Sequence, residues 1–574
     1  MRSHFIAPAI VLAFAAPLSA WAEQPVTAAT PAPAAATAPA APPAAAAAPL
    51  AAASTAPIDK VVVSPQKQEA AESQIDLEAL NKDEEKPKFE LEGYYRVRAN
   101  YFNQFELGAK TKGTTEQFFE HRLRLEPKFN LNPSVTFEAE IEAMDDQVWG
   151  ANPGNVLTQS TADKVPNVTV KRAWADVMLP VGRLSAGRMP SHWGMGLFSN
   201  DGRGFRNDFG DAHYGTTLDR VMFGTKPLGM DSNWIAAIVY DKIAAVQPIG
   251  SVSPENKSGV DEVVGILLFD TEPLKLGAYQ LYRYQKGEMH QCWDLAHGGM
   301  VPCQNPTKLN STDVYFKLDL GLLYAETEQV FIYSSQTGSV PVLNQSNFQV
   351  SYPKVLISQY GYAAKVGIKQ EMYGLEYEWG NATGDVNGQN DVDSKTGKPA
   401  PKVTDFKFHP DYHVGMIMFE YANRLNADRL LEEQLAGLDT LNEQGVASDD
   451  TVSKMKAASD LARTNGSVTN AHYQNPKIKI YCLDGKIDTV LGYLHATANA
   501  PRTIRQQTGV KKFDSYGHEL DVAVNFHYTK NFVFGVQYGV LFPGEYFDRQ
   551  DIITGDITKP TKAQALQGRF TILF

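Results

Sequence analysis

The sequence contains few cysteines, no excess of basic charge and, after its first residues, no long apolar run. Its 574 residues include 3 cysteines and carry a net charge of −12. A chain this acidic is not expected to bind nucleic acid, because nucleic-acid-binding domains are basic. No segment beyond residue 22 is apolar enough for a membrane-spanning helix, and the mean hydropathy is −0.29. Cys/His spacings typical of metal sites are also missing, so no cofactor is expected.

Residues 1–22 are predicted to be a signal peptide. Arg2 and His4 precede an apolar run at 5–18, and Ala-Trp-Ala at 20–22 supplies the small-residue cleavage pattern. A transmembrane anchor is the alternative, but it needs about 18 or more apolar residues and this run is shorter. The protein is therefore expected to be exported.

Residues 23–87 are predicted to be a periplasmic linker that is largely disordered. Nearly every residue from 24 to 57 is Ala or Pro, a composition that cannot bury a core. Residues 67–87 are charged and helix-prone, with few large apolar side chains. A small periplasmic plug or coiled-coil piece is the alternative for this second part.

From about residue 88 onward, apolar and polar residues alternate. The stretch FELEGYYRVRANYF, which begins at Phe89, places Phe89 and Leu91 in one phase and Arg96 and Arg98 in the other. Alternate residues of a strand point to opposite faces, so such a strand has one apolar and one charged face. Because the pattern recurs to the C-terminus, 88–574 is predicted to be an all-β protein, a transmembrane antiparallel outer-membrane β-barrel. Its apolar face would meet lipid and its charged face a water-filled lumen.

The connections between the predicted strands alternate between short turns and long polar loops, as in outer-membrane barrels. We predict about 18 strands, within a range of about 16–20. The higher count applies if 402–424 spans the membrane twice rather than lying in an external loop. The last strand ends in LQGRFTILF, and a final aromatic such as Phe574 is typical of the signal for the barrel-assembly machinery. Outer-membrane lipid and lipopolysaccharide of a Gram-negative bacterium are the expected surroundings.

Charged residues crowd the predicted lumenal face of the early strands. The pore-lining candidates are Arg96, Arg98, Arg122, Arg124, Arg172, Asp176, Arg183, Arg188, Arg220, Glu120, Glu138, Glu140 and Glu142. Arg183 and Arg188 have opposite phases on one strand unless a bulge at Gly187 intervenes. Two interpretations stay open: arginine–carboxylate ladders that keep the wall rigid, or an arginine-lined constriction that favours anionic solutes.

Two connecting segments have features of their own. Residues 189–217 contain many glycines and aromatics, and they either fold inward as a constriction or cap the surface. Residues 425–465 carry leucines at helical spacing and are predicted to form a helical hairpin in an external loop. This hairpin would be a lid, a partner-binding element or a passive cap.

Two loops contain candidates for a metal ion and a disulfide. The oxygen ligands available for a structural calcium ion are Asp385, Asn387, Asp391 and Asp393. Asn390 and Thr396 stand where an EF-hand needs Gly and Glu, so a plain polar loop is the alternative. Cys292 and Cys303 share another loop and are predicted to pair in an oxidising compartment.

Three short motifs resemble those of the alginate-export-like outer-membrane porins. They are GRLSAGRMPSHWGMG around Arg188 and Trp193, NATGDVNGQND around Gly384, and FKFHPDYHVG around Phe408. The resemblance implies a largely monomeric channel of about 18 strands with an arginine-rich lumen, which passes polysaccharides or small solutes. The insert at 425–465 and the Ala/Pro-rich leader depart from that family. The sequence also looks like outer-membrane barrel proteins with the same type of leader, which imply no function.

A channel for hydrophilic, including anionic, solutes or polysaccharide is the function that these features favour. The alternative is a surface-display or adhesin-type barrel whose lumen is closed and whose external loops bind a partner. An enzyme is not expected, because the histidines are scattered and no serine is paired with one at a recognisable spacing.

Overall fold

The computed structural model describes residues 87–105, 115–149, 168–204, 207–243, 260–285, 289–294, 299–304, 307–334, 342–344, 349–351, 356–385, 402–444, 464–506, 509–550 and 557–574. The predicted signal peptide and nearly all of the predicted linker lie outside these residues.

A ring of antiparallel strands forms the molecule. The first nine are β1 (Lys88–Asn103), β2 (Thr115–Asn132), β3 (Val135–Val148), β4 (Thr169–Leu179), β5 (Gly182–Pro190), β6 (Thr217–Thr225), β7 (Trp234–Ile243), β8 (Val260–Asp270) and β9 (Leu274–Gln285). Short hairpins in the long connections are β10 (Met289–Asp294) with β11 (Gly299–Gln304), β14 (Val342–Asn344) with β15 (Gln349–Ser351), and β23 (Arg549–Gln550) with β24 (Ile557–Thr558). The other ring strands are β12 (Thr307–Asp319), β13 (Leu323–Ser334), β16 (Leu356–Lys369), β17 (Tyr373–Ala382), β19 (Ala471–Cys482), β20 (Ile487–Gln506), β21 (Gly509–Thr529), β22 (Phe532–Pro543) and β25 (Ala563–Leu573).

The ring is closed by its first and last strands. β25 pairs antiparallel with β1, and the N–H groups and carbonyls of Gly93 and Phe574 bond reciprocally at 2.9 and 3.1 Å. The sheet has 19 strands, one of which, β18 (Lys402–Val403), only pairs in parallel with an end of β16. The remaining 18 form a closed antiparallel barrel, which confirms the predicted fold class and strand number.

The alternation along each strand separates an apolar exterior from a polar interior. Phe89 and Leu91 are 54% and 44% exposed, whereas Arg98 on the opposite phase is 2% exposed. An apolar outer surface on a closed barrel is the surface of a membrane-spanning protein, because closure leaves no backbone group unpaired in hydrocarbon.

Short and long connections lie at opposite ends of the barrel, as predicted. The links at 133–134, 180–181, 271–273 and 530–531 are tight turns at one end. At the other end, β20 and β21 continue their pairing up to Gln506 and Gly509.

The predicted external loop at 402–424 was also wrong, because this segment lies inside the barrel. Phe406 and Phe408 are each 1% exposed, and a π-helical turn, Met418–Asn423, is buried throughout. Aromatic side chains this well covered need the barrel wall around them. The segment leads into helix α1 (Arg424–Glu443), the first half of the predicted hairpin. The second half lies outside the described residues.

None of the helices in the described part of the chain is long and apolar enough to cross a membrane.

Candidate functional site: a constriction built from two inward segments

The connection between β5 and β6 folds into the lumen. We call its residues 191–204 and 207–216 the strap. Met195, Leu197 and Phe209 of the strap are at most 2% exposed. Loop residues lose that much surface only when the wall surrounds them, so of the two alternatives for 189–217 the structure shows the inward fold.

A single wall carboxylate anchors the first half of the strap. Glu328 on β13 accepts hydrogen bonds from three consecutive backbone N–H groups, those of Met195 (2.5 Å), Gly196 (2.9 Å) and Leu197 (3.1 Å). Consecutive N–H groups that converge in this way form an anion-binding nest. The nest depends on glycine, because Gly194 and Gly196 have φ values of +57° and +87°.

The second half of the strap reaches cationic side chains on the opposite wall. Asp211 contacts Arg96 at 3.1 Å, Arg98 at 2.9 Å and Arg569 at 2.9 Å. Burial alone would raise the pKa of Asp211, but the three guanidinium groups hold it well below its usual range. Asp211 is therefore ionised at neutral pH and neutralises part of the arginine-rich wall.

Asp208 makes a similar bridge to another strand. Its carboxylate lies 2.8 Å from both Lys477 and Lys479 on β19. The strands that hold the two halves of the strap lie almost opposite each other. Glu328 is on β13 and Arg98 is on β1, and the shorter path along the 18-strand ring from one strand to the other has eight steps. The strap thus crosses nearly the full width of the lumen.

The early arginines are covered by the strap and do not face open water. Arg122 is 0% exposed, bonds to Glu142 at 2.7 Å, and donates to the carbonyl of Ala212 in the strap at 3.0 Å. Arg172, also 0% exposed, bonds to Glu140 at 2.5 Å and to further strap carbonyls. Two interpretations of these arginines were open, and the structure shows the first of them, a rigid, ion-paired wall.

A second wall carboxylate anchors the segment that was predicted to be external. We call residues 402–423 the inner segment. Glu519 on β21 accepts the N–H groups of Met416 (2.6 Å), Ile417 (2.7 Å) and Met418 (2.6 Å). Each inward segment is therefore held by one glutamate on a different part of the wall.

The strap and the inner segment are bound to each other by Asp411. Its carboxylate accepts the backbone N–H groups of His213 and Gly215 of the strap, both at 2.6 Å. Burial would raise the pKa of Asp411, but His409 and these N–H donors bring it down to about 2. The two segments form one constriction in the lumen.

Glycines in the wall make room for aromatic side chains of the two segments. A Cβ atom at Gly277 on β9 would lie 2.7 Å from the Trp193 ring, and one at Gly492 would lie 3.0 Å from Phe209. A Cβ atom at Gly361 would likewise lie too close to the ring of Phe406. Close approach of another group is a reason for glycine inside a strand.

We expect Gly277→Val to displace Trp193 and to cost about 1–3 kcal/mol, the typical effect of overpacking. Urea titration of the refolded barrel, followed by tryptophan fluorescence, measures both effects. Gly265→Val on the neighbouring strand is the control, because a Cβ at Gly265 meets nothing within 4 Å. Equal midpoints for the two variants would contradict the close packing of the strap.

The other predicted pore-lining residues are on the inner wall in ion pairs, with one exception. The pairs are Arg98 with Glu120, Arg124 with Glu142, Arg183 with Asp176, Arg220 with Asp241, and Glu138 with Lys128.

Arg188 is the exception, and its prediction as a pore-lining residue was wrong. Its guanidinium pairs with Asp219 at 2.8 Å, and the two side chains are 42% and 44% exposed. The neighbours of Asp219 on β6, Leu218 and Arg220, are buried on the inner side. The pairing of β4 with β5 continues without a bulge at Gly187, so Arg188 stays on the outer phase.

Most side chains of the calcium and disulfide predictions lie outside the part of the chain that the structure describes. Of the calcium candidates only Asp385 belongs to the described residues. Among those residues no group of three or more His, Cys, Asp or Glu could hold a metal ion. The backbones of Cys292 and Cys303 pair with Val301 and His290, but the two side chains are outside the description. The disulfide stays a prediction.

Sequence reasoning missed the residues that build the constriction. Glu328 and Glu519 occupy the lumenal phase of predicted strands and could have been flagged as acids on the lumenal face. Asp208, Asp211 and Asp411 lie in segments with no strand period, so no sequence signal pointed to them.

The comparisons with known proteins give distant structural likenesses. No family model and no curated protein matches the sequence. Among solved structures, OccK8 (OprE) of Pseudomonas aeruginosa is 8% identical with a TM-score of 0.43, over 84% of this chain and 98% of that one. OccK2 (OpdF) of the same organism is 10% identical with the same TM-score and coverage. An outer-membrane-expressed OmpT of Vibrio cholerae is 9% identical with a TM-score of 0.32, over 86% of this chain and 99% of that one.

Proposed function

We propose that the protein is an outer-membrane channel for passive diffusion of hydrophilic solutes, with a preference for anions, and that the strap and the inner segment form its constriction. No bond chemistry is part of this function. The side chains that line the path act by charge and by size.

The observation that carries the proposal is an asymmetry in four ion pairs of the inner wall. In four pairs the cationic side chain is 18–27% exposed, whereas its carboxylate partner is 3–6% exposed. The pairs are Arg283 with Glu262, Lys171 with Glu142, Lys365 with Glu326, and Lys479 with Glu376. A solute in the lumen therefore meets the positive member of each pair first, which favours anions.

Charge reversal tests the preference. We expect the double variant Lys365→Glu/Lys479→Glu to lower or invert the anion preference in planar bilayers under a KCl gradient, because both ammonium groups face the lumen. Lys242→Glu is the matched control, since Lys242 pairs with Asp261 on the exterior and is 54% exposed. A reversal potential that shifts equally in the two variants would contradict lumenal selectivity.

A closed barrel that displays its external loops is the second candidate. The two inward segments favour it, because they fill part of the lumen. Correctly folded protein without ion flux would support this candidate and exclude the channel. The resemblance to alginate-export-like porins adds acidic polysaccharide to the solutes worth testing in the first case.

A further inference from the structure

Both anchoring glutamates have a second buried carboxyl beside them. Asp313 on β12 interacts with Glu328, and Asp521 lies two residues from Glu519 on β21. Asp313 is 0% exposed and Asp521 is 5% exposed. Neither oxygen of Asp313 accepts a hydrogen bond, and the same holds for Oδ1 of Asp521. The function of the constriction proposed above does not explain these acids.

The surroundings of Asp313 offer it no counter-ion. Trp193 of the strap lies against it and also packs on Tyr315, with 6.4 Å between the ring centroids. Two basic side chains on nearby strands are committed elsewhere. Arg220 is bound to Asp241 at 2.7 Å and Lys365 to Glu326 at 3.0 Å.

Asp521 also has a second carboxyl beside it, on another part of the wall. A Cβ at Gly539 would lie 2.7 Å from its Oδ1 and 3.1 Å from Ile417 of the inner segment, so the two side chains meet above this glycine. Lys477 is the basic group that faces Asp521 from β19. It is already bound to Asp208, at 2.8 Å, and to two further glutamates.

Two adjacent buried carboxyls are more stable when one of them keeps its proton than when both are ionised. We propose that Asp313 and Asp521 are proton-binding sites, sealed by the strap and the inner segment respectively, and that these protons are lost when the two segments withdraw from the wall. The inference rests on the proposed channel, since it describes how that channel opens.

The direction of the pH effect follows from the proton count. The closed constriction binds more protons than the open one, so a rise in pH favours opening. Each proton released shifts the open-to-closed ratio by about tenfold per pH unit, between the proton affinities of the two states.

Other titratable groups at the contact between the two segments also contribute to the pH dependence of opening. Burial raises the pKa of Asp405 in the inner segment to about 8, against the opposing effect of Lys407, and its proton acts in the same direction. Burial lowers the pKa of His409, so its protonation in acid would oppose closure. Burial would lower the pKa of His413, but Glu420 keeps it raised. The effect of Asp313 and Asp521 is therefore measured with variants of these two acids that leave Asp405, His409 and His413 unchanged.

Single-channel recording of the full mature chain at pH 7 and pH 9 tests the proposal. We expect the open probability of the wild type to rise at least tenfold. In Asp313→Asn/Asp521→Asn most of this rise should be lost, because asparagine mimics the neutral acid and the proton of Asp405 alone still responds. Asp261→Asn, on the exterior of β8, should respond as the wild type does. A rise that persists undiminished in the double variant, or a conducting wild type without a rise, would overturn the proposal.

A second readout separates failure of the proposed proton sites from failure of the proposed channel. Trp193 is 8% exposed, and its emission should shift to the red at pH 9 in the wild type but not in Asp313→Asn. The signal is assigned by subtracting that of Trp193→Phe. A barrel that conducts no ions at either pH would contradict the channel proposal. The fluorescence shift of Trp193 would still show whether the proton sites control the strap.

Discussion

Arg172→Met is expected to lower the free energy of unfolding by about 3 kcal/mol, because it leaves Glu140 buried without its nearest cation. The two groups are 2.5 Å apart and their side chains are 0% and 2% exposed. The expected loss is at the low end for a broken buried pair, since Arg124 also reaches Glu140 at 3.4 Å. Guanidinium titration of the barrel refolded in detergent measures the difference.

The matched control is Arg188→Met, which removes an arginine of an exposed pair. Such pairs contribute about 0–1 kcal/mol, so its midpoint should stay close to that of the wild type. The double variant Arg172→Met/Glu140→Gln should recover part of the loss, because it also removes the stranded charge. Similar losses for Arg172→Met and Arg188→Met would contradict the burial of Arg172 beneath the strap.

Replacement of 194–213 by a short Gly-Ser linker is expected to raise the single-channel conductance several-fold. The deletion is sterically simple, because the N–H of Ser191 already bonds to the carbonyl of Thr216 at 3.2 Å. It removes the side chains that cross the lumen from β13 to β1. The wall cations that Asp208 and Asp211 neutralise would then face water, so the anion preference should rise as well.

Shortening the connection between β7 and β8, at 246–257, serves as the control for loop deletion. It should leave the conductance within the spread of the wild type. If the strap deletion conducts no better than this control, the strap does not limit the flow of ions.

The barrel was predictable because a single periodic pattern determines it. Side chains such as Phe89 and Leu91 must face lipid on every strand, and this requirement leaves a period of two in the sequence. The short turns add the second signal. The final strand could be assigned for the same reason, and Phe574 bonds to Gly93 on β1 where the ring closes.

The constriction was only partly predictable, because it depends on contacts between distant segments. Glu328 and Met195 are 133 residues apart, and their bond requires the backbone conformation of Gly194 and Gly196. A period-two pattern contains no information about such a nest. The inner segment was misplaced for the same reason: Phe406 and Phe408 are apolar whether they face lipid, core or lumen.

The face on which a single residue near a strand end lies was also difficult to predict from the sequence. Arg188 was ambiguous because a bulge at Gly187 would have turned it inward. The structure has no bulge there, and the guanidinium pairs with Asp219 on the exterior. Only the register with the neighbouring strand decides such a position.

The most direct test of the central claim is the single-channel current of the wild-type protein in a planar bilayer at neutral pH, with its reversal potential under a KCl gradient. The account predicts discrete conductance steps and a reversal potential on the anion-selective side. A barrel that is shown to be folded by its heat-modifiable mobility in gels, yet gives no steps, would contradict it.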